Sequence, residues 1–151
     1  MTRTAAREIA VQLCFAAASA DLTPQELEER FFEPEHYRSL AEEQELFLEE
    51  PGENERAYIH RLTALCTEHR GEIDELIERY AKGWRVDRIS RTALAVLRCA
   101  VCEILYMDDI PNAAAINEAV ELCKGYDDPE TVSFVNGVLG GIMRGEIDGR
   151  E

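Results

Sequence analysis

The amino-acid sequence predicts an all-helical protein of about seven helices. Alanine, leucine, glutamate and arginine dominate its 151 residues, aromatic residues make up only 7%, and runs of β-branched residues are absent. Through most of the chain, apolar residues recur every three or four positions, which is the spacing of one helical face. The five prolines and most of the glycines lie between these periodic segments. A chain of this length fits one compact domain with one hydrophobic core.

Each helix is placed by its apolar stripe and by the residues at its ends. A first helix is expected over residues 4–19. The second has a clear start, because Thr23 is a good N-cap, Pro24 suits the first helical position and Glu26 completes a capping box. Further helices are expected over residues 54–69, 73–80, 90–107 and 112–124, and a last one from Pro129 to about residue 142, capped by Asp128.

Two glycines are given structural roles by their positions. Gly71 is expected to separate the helix at 54–69 from the one that follows it. Gly137 lies inside the last predicted helix, where a glycine costs roughly 0.5–1 kcal/mol relative to alanine. We therefore expect another backbone to approach the chain closely at Gly137.

A few polar residues within the predicted helices need a reason other than solubility. The helix over residues 90–107 has the broadest apolar face, so it is expected to be the most buried one. Glu103 lies beside that face and would need a polar partner if it were buried. Asn117, Glu118 and Asn136 fall outside the apolar stripes of the last two helices. Packing alone therefore does not require them.

The charge of the chain is strongly negative but unevenly distributed. The net charge is −15, which argues at first against nucleic-acid binding, because phosphates are bound by basic residues. Residues 21–56 carry a net charge of −10, whereas residues 84–126 carry −1 and residues 1–20 carry +1. The acidic segment at 33–56 is expected to be a solvated excursion with one short helix. Nucleic-acid binding by the rest of the chain is not excluded.

The cysteines indicate a reducing compartment rather than a disulfide framework. Their number is odd and all of them lie in apolar helical patterns, which is typical of core residues of a cytoplasmic protein. Cys99 and Cys102 have a metal-like spacing, but no second pair follows them, so no metal site is expected. The five cysteines are Cys14, Cys66, Cys99, Cys102 and Cys123.

Several classes of protein are not favoured by the sequence. No segment has the length and apolarity of a membrane span. The first twenty residues loosely imitate a signal peptide, but Glu8 and Gln12 interrupt the apolar run, so a structural helix is favoured. No nucleophile, base and acid stand at a catalytic spacing. We therefore expect a protein that is not an enzyme and that needs no cofactor.

The first predicted helix carries a basic pair with an aromatic residue nearby. Arg3 and Arg7 are one helical turn apart, and Phe15 lies two turns beyond Arg7. Cations beside an aromatic ring suit single-stranded RNA, through phosphate contact and base stacking. The alternative is a solvated arginine pair and a core phenylalanine, and the pattern alone leaves both interpretations open.

A longer pattern of residues resembles a known family. Its strongest part is Ile110-Pro111, then Ala115-Ile116-Asn117-Glu118-Ala119-Val120-Glu121-Leu122-Cys123-Lys124, then Phe134-Val135-Asn136-Gly137-Val138-Leu139. Trp84, Arg88-Ile89, Leu97-Arg98, Glu103-Ile104-Leu105 and the opening Ala6-Arg7-Glu8 also match. On these residues the chain resembles the NusB family of bacterial transcription antitermination factors.

The resemblance implies a fold of two small helical subbundles and an RNA-binding function. The expected ligand is the boxA sequence of ribosomal RNA leader transcripts, bound together with the small ribosomal subunit protein called NusE. This complex would join other Nus factors on RNA polymerase, so that synthesis of ribosomal RNA resists premature termination. The expected cytoplasmic RNA-binding domain spans residues 1–144, including the variable acidic segment, and residues 145–151 are expected to form a flexible tail.

The resemblance also assigns candidate RNA-binding residues in two parts of the chain. Near the N-terminus, Arg3 and Arg7 occupy arginine positions of the family, and Phe15 stands where an aromatic residue is common. The second part is the C-terminal region that lies near RNA in the family. Its candidate residues are Lys124, Tyr126, Phe134 and Asn136.

The contacts with the ribosomal protein are less well defined by the sequence. Our candidates are Glu103, Glu118 and Glu130. Ala93-Leu94 replaces a frequent acidic-basic pair near that contact, and the N-terminus has fewer arginines than is usual in the family. Two alternatives stay open, namely a protein-interaction adaptor with little direct RNA binding and a stand-alone module related to the N-terminal domain of ribosomal RNA cytosine methyltransferases. A homodimer is also possible.

Overall fold

The protein consists of α-helices, as predicted. A computed structural model describes residues 1–20, 22–84 and 88–148. Within these ranges there are eight α-helices and no β-strand, which is close to the predicted number of about seven. The chain divides into two compact units, Met1–Thr67 and Glu68–Glu151, in agreement with the two expected subbundles. None of the helices in these ranges combines the length and apolarity needed to cross a membrane.

Unit 1 contains four α-helices and a short 3-10 turn. The N-cap predicted at Thr23 is confirmed, because its hydroxyl accepts a hydrogen bond from the backbone N–H of Glu26 at 3.2 Å. The short helix expected in the acidic segment is present at Pro34–Leu40. The elements are α1 (Arg3–Ser19), α2 (Pro24–Phe31), α3 (Pro34–Leu40), the 3-10 turn Glu45–Leu48 and α4 (Glu53–Glu68).

The acidic segment folds around aromatic side chains. The rings of Phe31, Tyr37 and Phe47 contact one another edge to face at 5.6–5.8 Å between centroids. Tyr37 and Phe47 are buried, and the Tyr37 hydroxyl donates a hydrogen bond to the backbone carbonyl of Glu49 at 2.9 Å. The other residues of the segment are exposed or half-buried, as expected of a solvated excursion, and these two rings are the exception. The carboxylates are exposed, but they stand on a segment with an apolar cluster of its own.

Unit 2 is built around its longest helix. The helices are α5 (Arg70–Tyr80), α6 (Arg91–Tyr106), α7 (Asn112–Lys124) and α8 (Pro129–Ile142), followed by a π turn at Met143–Ile147. Helix α6 packs against α5, α7 and α8, and every residue from Ala93 to Ile104 is buried. This confirms the prediction that it is the most buried helix. The reason is its broad apolar face, which needs neighbours on several sides.

One buried charge of α6 is held by an ion pair with α5. The guanidinium of Arg98 donates from Nε to Oδ1 of Asp74 at 2.7 Å and from Nη2 to Oδ2 at 2.8 Å. This bidentate geometry matches the planar guanidinium to the carboxylate. Arg98 is buried, so its ion pair with Asp74 helps to fix the register of α5 on α6. Apolar packing between the two helices does the rest.

Both glycine predictions are corrected by the structure. Gly71 lies within α5, and the break between α4 and α5 falls at His69 instead. A Cβ atom built on Gly137 would meet nothing within 4 Å, so no other backbone approaches there. Side chains come close to other glycines instead: a Cβ atom on Gly145 would collide with Tyr80, and one on Gly141 would lie 3.0 Å from the same ring.

The π turn after α8 is attached to the end of α5. Glu146, in the π turn, accepts hydrogen bonds from Nη1 of Arg79 at 2.7 Å and from the hydroxyl of Tyr80 at 2.9 Å. Of the tail predicted at residues 145–151, the first three residues thus belong to this turn, which is attached to the end of α5. Residues 149–151 lie outside the described residues. None of the five cysteines, which all lie in the described ranges, forms a disulfide, and all except Cys14 are buried.

Candidate nucleic-acid interface

In unit 1, the basic pair of α1 shares one aromatic neighbour. The helix begins after Thr2, whose hydroxyl accepts a hydrogen bond from the N–H of Ala5 at 3.1 Å. The guanidinium carbons of Arg3 and Arg7 lie 4.1 Å and 5.7 Å from the ring centroid of Tyr58, on α4. Both distances are within the range of cation–π attraction. The two arginines are therefore held in place by the same ring.

The two arginines differ in their accessibility. Arg3 is exposed, whereas Arg7 is only 4% exposed. A buried guanidinium would have to leave its neighbours before it could reach a phosphate. The prediction of a direct RNA contact therefore remains for Arg3, and for Arg7 it needs correction. Neighbouring residues of the same protein cover the side chain of Arg7. In this structure Arg7 therefore has a structural role on α1.

Phe15 lies on the surface of α1 and not in the core. Its side chain is 38% exposed, which contradicts the alternative of a core phenylalanine. An exposed aromatic ring costs solvation free energy unless a partner covers it. Phe15 is thus available for base stacking, as the RNA interpretation requires.

The acidic segment also reaches the basic end of α1. The N-terminal ammonium of Met1 forms an ion pair with the carboxylate of Glu49, and this hydrogen bond raises the pKa of the ammonium. Farther along α1, Gln12 donates a hydrogen bond to the side chain of Gln44 at 3.1 Å. A phosphate approaching Arg3 therefore meets a neighbourhood of mixed charge.

In unit 2, the predicted RNA residues at the end of α7 lie on a short exposed turn. Lys124 is exposed and its Nζ atom contacts Oε1 of Glu121 at 2.7 Å. Tyr126 follows on the same turn, with its side chain also exposed. Asp128 then caps α8 by accepting a hydrogen bond from the N–H of Thr131 at 2.8 Å, which lowers the pKa of this carboxyl. The capping prediction is confirmed.

The side chains of Phe134 and Asn136 point to different sides of α8. They are two residues apart on α8, which separates their side chains by roughly 200° around the helix. Asn136 is exposed, whereas Phe134 is half-buried and packs against Trp84, with 5.7 Å between ring centroids. The structure therefore pairs Phe134 with a residue that the sequence analysis left without a role.

Two grooves lie on either side of this aromatic pair. One, of about 340 Å³, is lined by three cations, from Arg79, Lys82 and Arg144, and by no acidic residue of the part of the chain that the structure describes. The other, of about 580 Å³, is lined by one cation and one carboxylate, Arg88 and Glu130. The signal for this site was in the sequence, because Trp84 is the only tryptophan of a chain with few aromatic residues.

The candidate contacts for a protein partner have three different environments. Glu103 is completely buried in α6, so the prediction that it contacts a partner was wrong. The reason is its place on α6, where every residue from Ala93 to Ile104 is buried. Glu118 is half-buried, and Glu130 is exposed in the first turn of α8. These two stay predictions.

The chain is similar to known proteins over nearly its whole length. The family model described as the NusB family matches residues 4–144. The transcription antitermination protein NusB of Acetivibrio thermocellus is 38% identical over 154 aligned positions, which cover 100% of this chain and 97% of that relative.

Solved structures of the same fold include relatives of this family. That of T. maritima NusB superposes with a TM-score of 0.72 at 29% identity, covering 96% of this chain and 92% of that one. The structure of the antitermination factors NusB and NusE in complex with dsRNA has a TM-score of 0.73 at 24% identity, covering 94% and 96%, a likeness that concerns the fold alone. From the match over residues 4–144 and the identity to a full-length relative, the chain belongs to the NusB family.

Proposed function

We propose that this protein is a transcription antitermination factor that binds single-stranded boxA-type RNA together with the ribosomal protein NusE. The observation that carries the proposal is the family match over residues 4–144, with 38% identity to a protein named for transcription antitermination. Members of this family bind rather than catalyse, which agrees with the absence of a catalytic spacing in the sequence. The complex would act in the cytoplasm, with other Nus factors on RNA polymerase.

The surface of α1 supports an RNA-binding role. Arg3 is an exposed cation and Phe15 is an exposed ring on the same helix. Phosphate contacts supply affinity without sequence preference, while stacking and base contacts supply selectivity. In unit 2, Lys124 and Tyr126 offer the same combination on one short turn. Each unit thus has a cation and an aromatic side chain at its surface.

The need for the partner NusE has an electrostatic reason. With a net charge of −15, this chain alone repels a polyanion at long range, and only a few of its cations are exposed at the proposed contacts. A basic ribosomal protein bound beside it would supply the missing positive charge. We therefore expect RNA affinity to be low for the isolated chain and much higher for the complex.

The test is a binding titration with fluorescently labelled boxA RNA. Anisotropy is measured for the chain alone, for NusE alone and for their mixture, with a scrambled RNA of equal length as the control. We expect tight binding by the mixture and at least tenfold weaker binding of the scrambled sequence. Equal affinity for the two RNAs would overturn sequence-selective recognition. A stable protein complex with no added RNA affinity would support the adaptor alternative instead.

A further inference from the structure

Trp84 is an exposed aromatic residue in a strained turn. Helix α5 ends at Tyr80, and the N–H of Trp84 donates a hydrogen bond to the carbonyl of Ala81 at 3.3 Å, which closes the turn. Between them Lys82 and Gly83 adopt positive φ angles of 47° and 94°. Among the described non-glycine residues, Lys82 alone does so. Such strain is maintained only where the surrounding structure imposes it.

The turn presents the indole to solvent and not to the core. Trp84 is 53% exposed, although tryptophan is a residue with a large free-energy gain on burial. Its one aromatic neighbour among the described residues is the ring of Phe134. Much of the indole surface is therefore available to a ligand.

The charge beside Trp84 is opposite to that of the chain. Among the described residues, the lining of the 340 Å³ groove contains Arg79, Lys82 and Arg144 and no carboxylate. Arg79 is paired with Glu146 at 2.7 Å, whereas no carboxylate of the described residues pairs with Lys82 or Arg144. A chain with a net charge of −15 thus has two cations available next to an exposed indole.

The floor of this groove is open. Gly137 belongs to its lining, and a Cβ atom there would meet nothing within 4 Å. Helix α8 therefore carries a glycine in its interior that no contact within the described chain requires. An atom of a ligand could lie directly against the helix backbone at this point.

We propose that the groove beside Trp84 is a binding site for one nucleotide of a single-stranded RNA. The base stacks on the indole and the adjoining phosphates contact Lys82 and Arg144. This inference rests on the proposed function, which it extends from Phe134, an RNA-binding candidate of the family pattern, to Trp84, Lys82 and Arg144. An aromatic platform beside cations is the arrangement by which proteins hold unpaired nucleotides.

The charge favours RNA over a protein as the occupant. Protein–protein interfaces are enriched in arginine and aromatic residues but depleted in lysine, so the lysine is the residue that argues against a protein occupant. The groove that contains the Trp84 indole is lined by Lys82 in addition to two arginines. The negative charge carried by every nucleotide of an RNA strand is attracted by these cations.

The test uses the fluorescence of Trp84, the single tryptophan of the chain. Labelled boxA RNA is added to the complex with NusE, and RNA anisotropy and tryptophan emission are recorded in the same titration. The complex containing Trp84→Phe gives the background emission of NusE. We expect emission to be quenched in parallel with binding. Trp84→Ala should weaken binding roughly five- to 150-fold, whereas Trp84→Phe, which keeps a ring, should change it less than threefold.

The cations are tested by charge-matched variants. Lys82→Gln and Arg144→Gln should each reduce the slope of log affinity against log salt by about one. Arg70→Gln is the control, because it removes the same charge at the opposite end of α5, where Arg70 contacts Asp74 at 3.9 Å. Melting curves followed by circular dichroism establish that each variant is folded. If Trp84→Ala does not fold, these two variants still decide the question.

The possible results separate this inference from the proposed function. Normal RNA binding with unchanged emission and unchanged affinity of the variants overturns the nucleotide site and leaves the proposed function intact. An emission change caused by NusE alone, with none on adding RNA, assigns the surface to the protein partner and also overturns it. Absence of RNA binding by the wild-type mixture overturns both.

Discussion

The substitution Gly137→Ala tests whether a ligand occupies the open space beside Gly137. Gly137 is the ninth residue of the fourteen-residue helix α8, so it lies in the helix interior. A new Cβ atom would meet nothing within 4 Å, and glycine costs a helix interior roughly 0.5–1 kcal/mol relative to alanine. Gly137→Ala should therefore raise the free energy of unfolding by that amount. For a chain of this size the melting temperature should rise by about 1–4 °C.

The same substitution should weaken RNA binding. If a nucleotide lies against the backbone of α8, the added methyl group occupies part of its space. Overfilling a packed site costs roughly 1–3 kcal/mol, which corresponds to a loss of affinity of about fivefold or more. Stability and affinity are thus expected to change in opposite directions. Calorimetry and RNA anisotropy on the same preparation measure the two quantities.

Gly71→Ala is the matched control for this prediction. Gly71 also lies in a helix, the second residue of α5, and a Cβ atom there would likewise meet nothing within 4 Å. We expect a gain in stability, smaller because the position is near the helix end, and no change in RNA affinity. A Gly137→Ala variant that is more stable and binds RNA normally would show that no ligand reaches the floor of the groove. A less stable variant would refute the open space itself.

The remaining predictions concern the arginines, an ion pair and a helix cap. Arg3→Gln should lower the RNA affinity and the slope of log affinity against log salt, with little change in melting temperature. Arg7→Gln should lower the melting temperature, because Arg7 is buried. Equal behaviour of the two variants in anisotropy and thermal melts would contradict this division. Asp74→Ala should lower the free energy of unfolding, measured with urea, by about 2–3 kcal/mol, because it removes the two hydrogen bonds that Asp74 accepts from the buried guanidinium of Arg98. A loss below about 1 kcal/mol would contradict a stabilising role of this ion pair. The folded-state pKa of Asp128 is lowered, so its capping stability is present above the unfolded pKa and lost as pH falls through the folded value. Melts between pH 5 and pH 2 should therefore show a steeper loss for the wild type than for Asp128→Asn, and parallel curves would exclude the effect.

Local features were predictable because their causes lie within a few residues. The caps at Thr23 and Asp128 depend on an oxygen and an N–H group three positions later, and both were found as expected. The burial of α6 followed from the width of its apolar face. The start and end of α7 also agreed with the predicted residues.

Exposure could not be predicted in the same way, because it depends on neighbours that are distant in the chain. Glu103 and Arg7 are polar residues whose surroundings cover them almost completely, although their positions in the sequence suggested contact with a partner or with RNA. Phe15 shows the reverse, since an aromatic residue close to an apolar stripe stands on the surface. Periodicity gives the direction of a side chain, but not what lies in that direction.

The sequence by itself determined the helical class, most of the helix boundaries and membership of the NusB family, because these depend on periodicity, capping and motif order. The tertiary structure alone decided which of the candidate residues reach solvent. It also placed Trp84 against Phe134 across fifty residues of chain and gathered Arg79, Lys82 and Arg144 beside them. Such a surface arises when helices α5 and α8 pack in one unit. No spacing along the chain records that juxtaposition, because it is fixed by packing and not by local sequence.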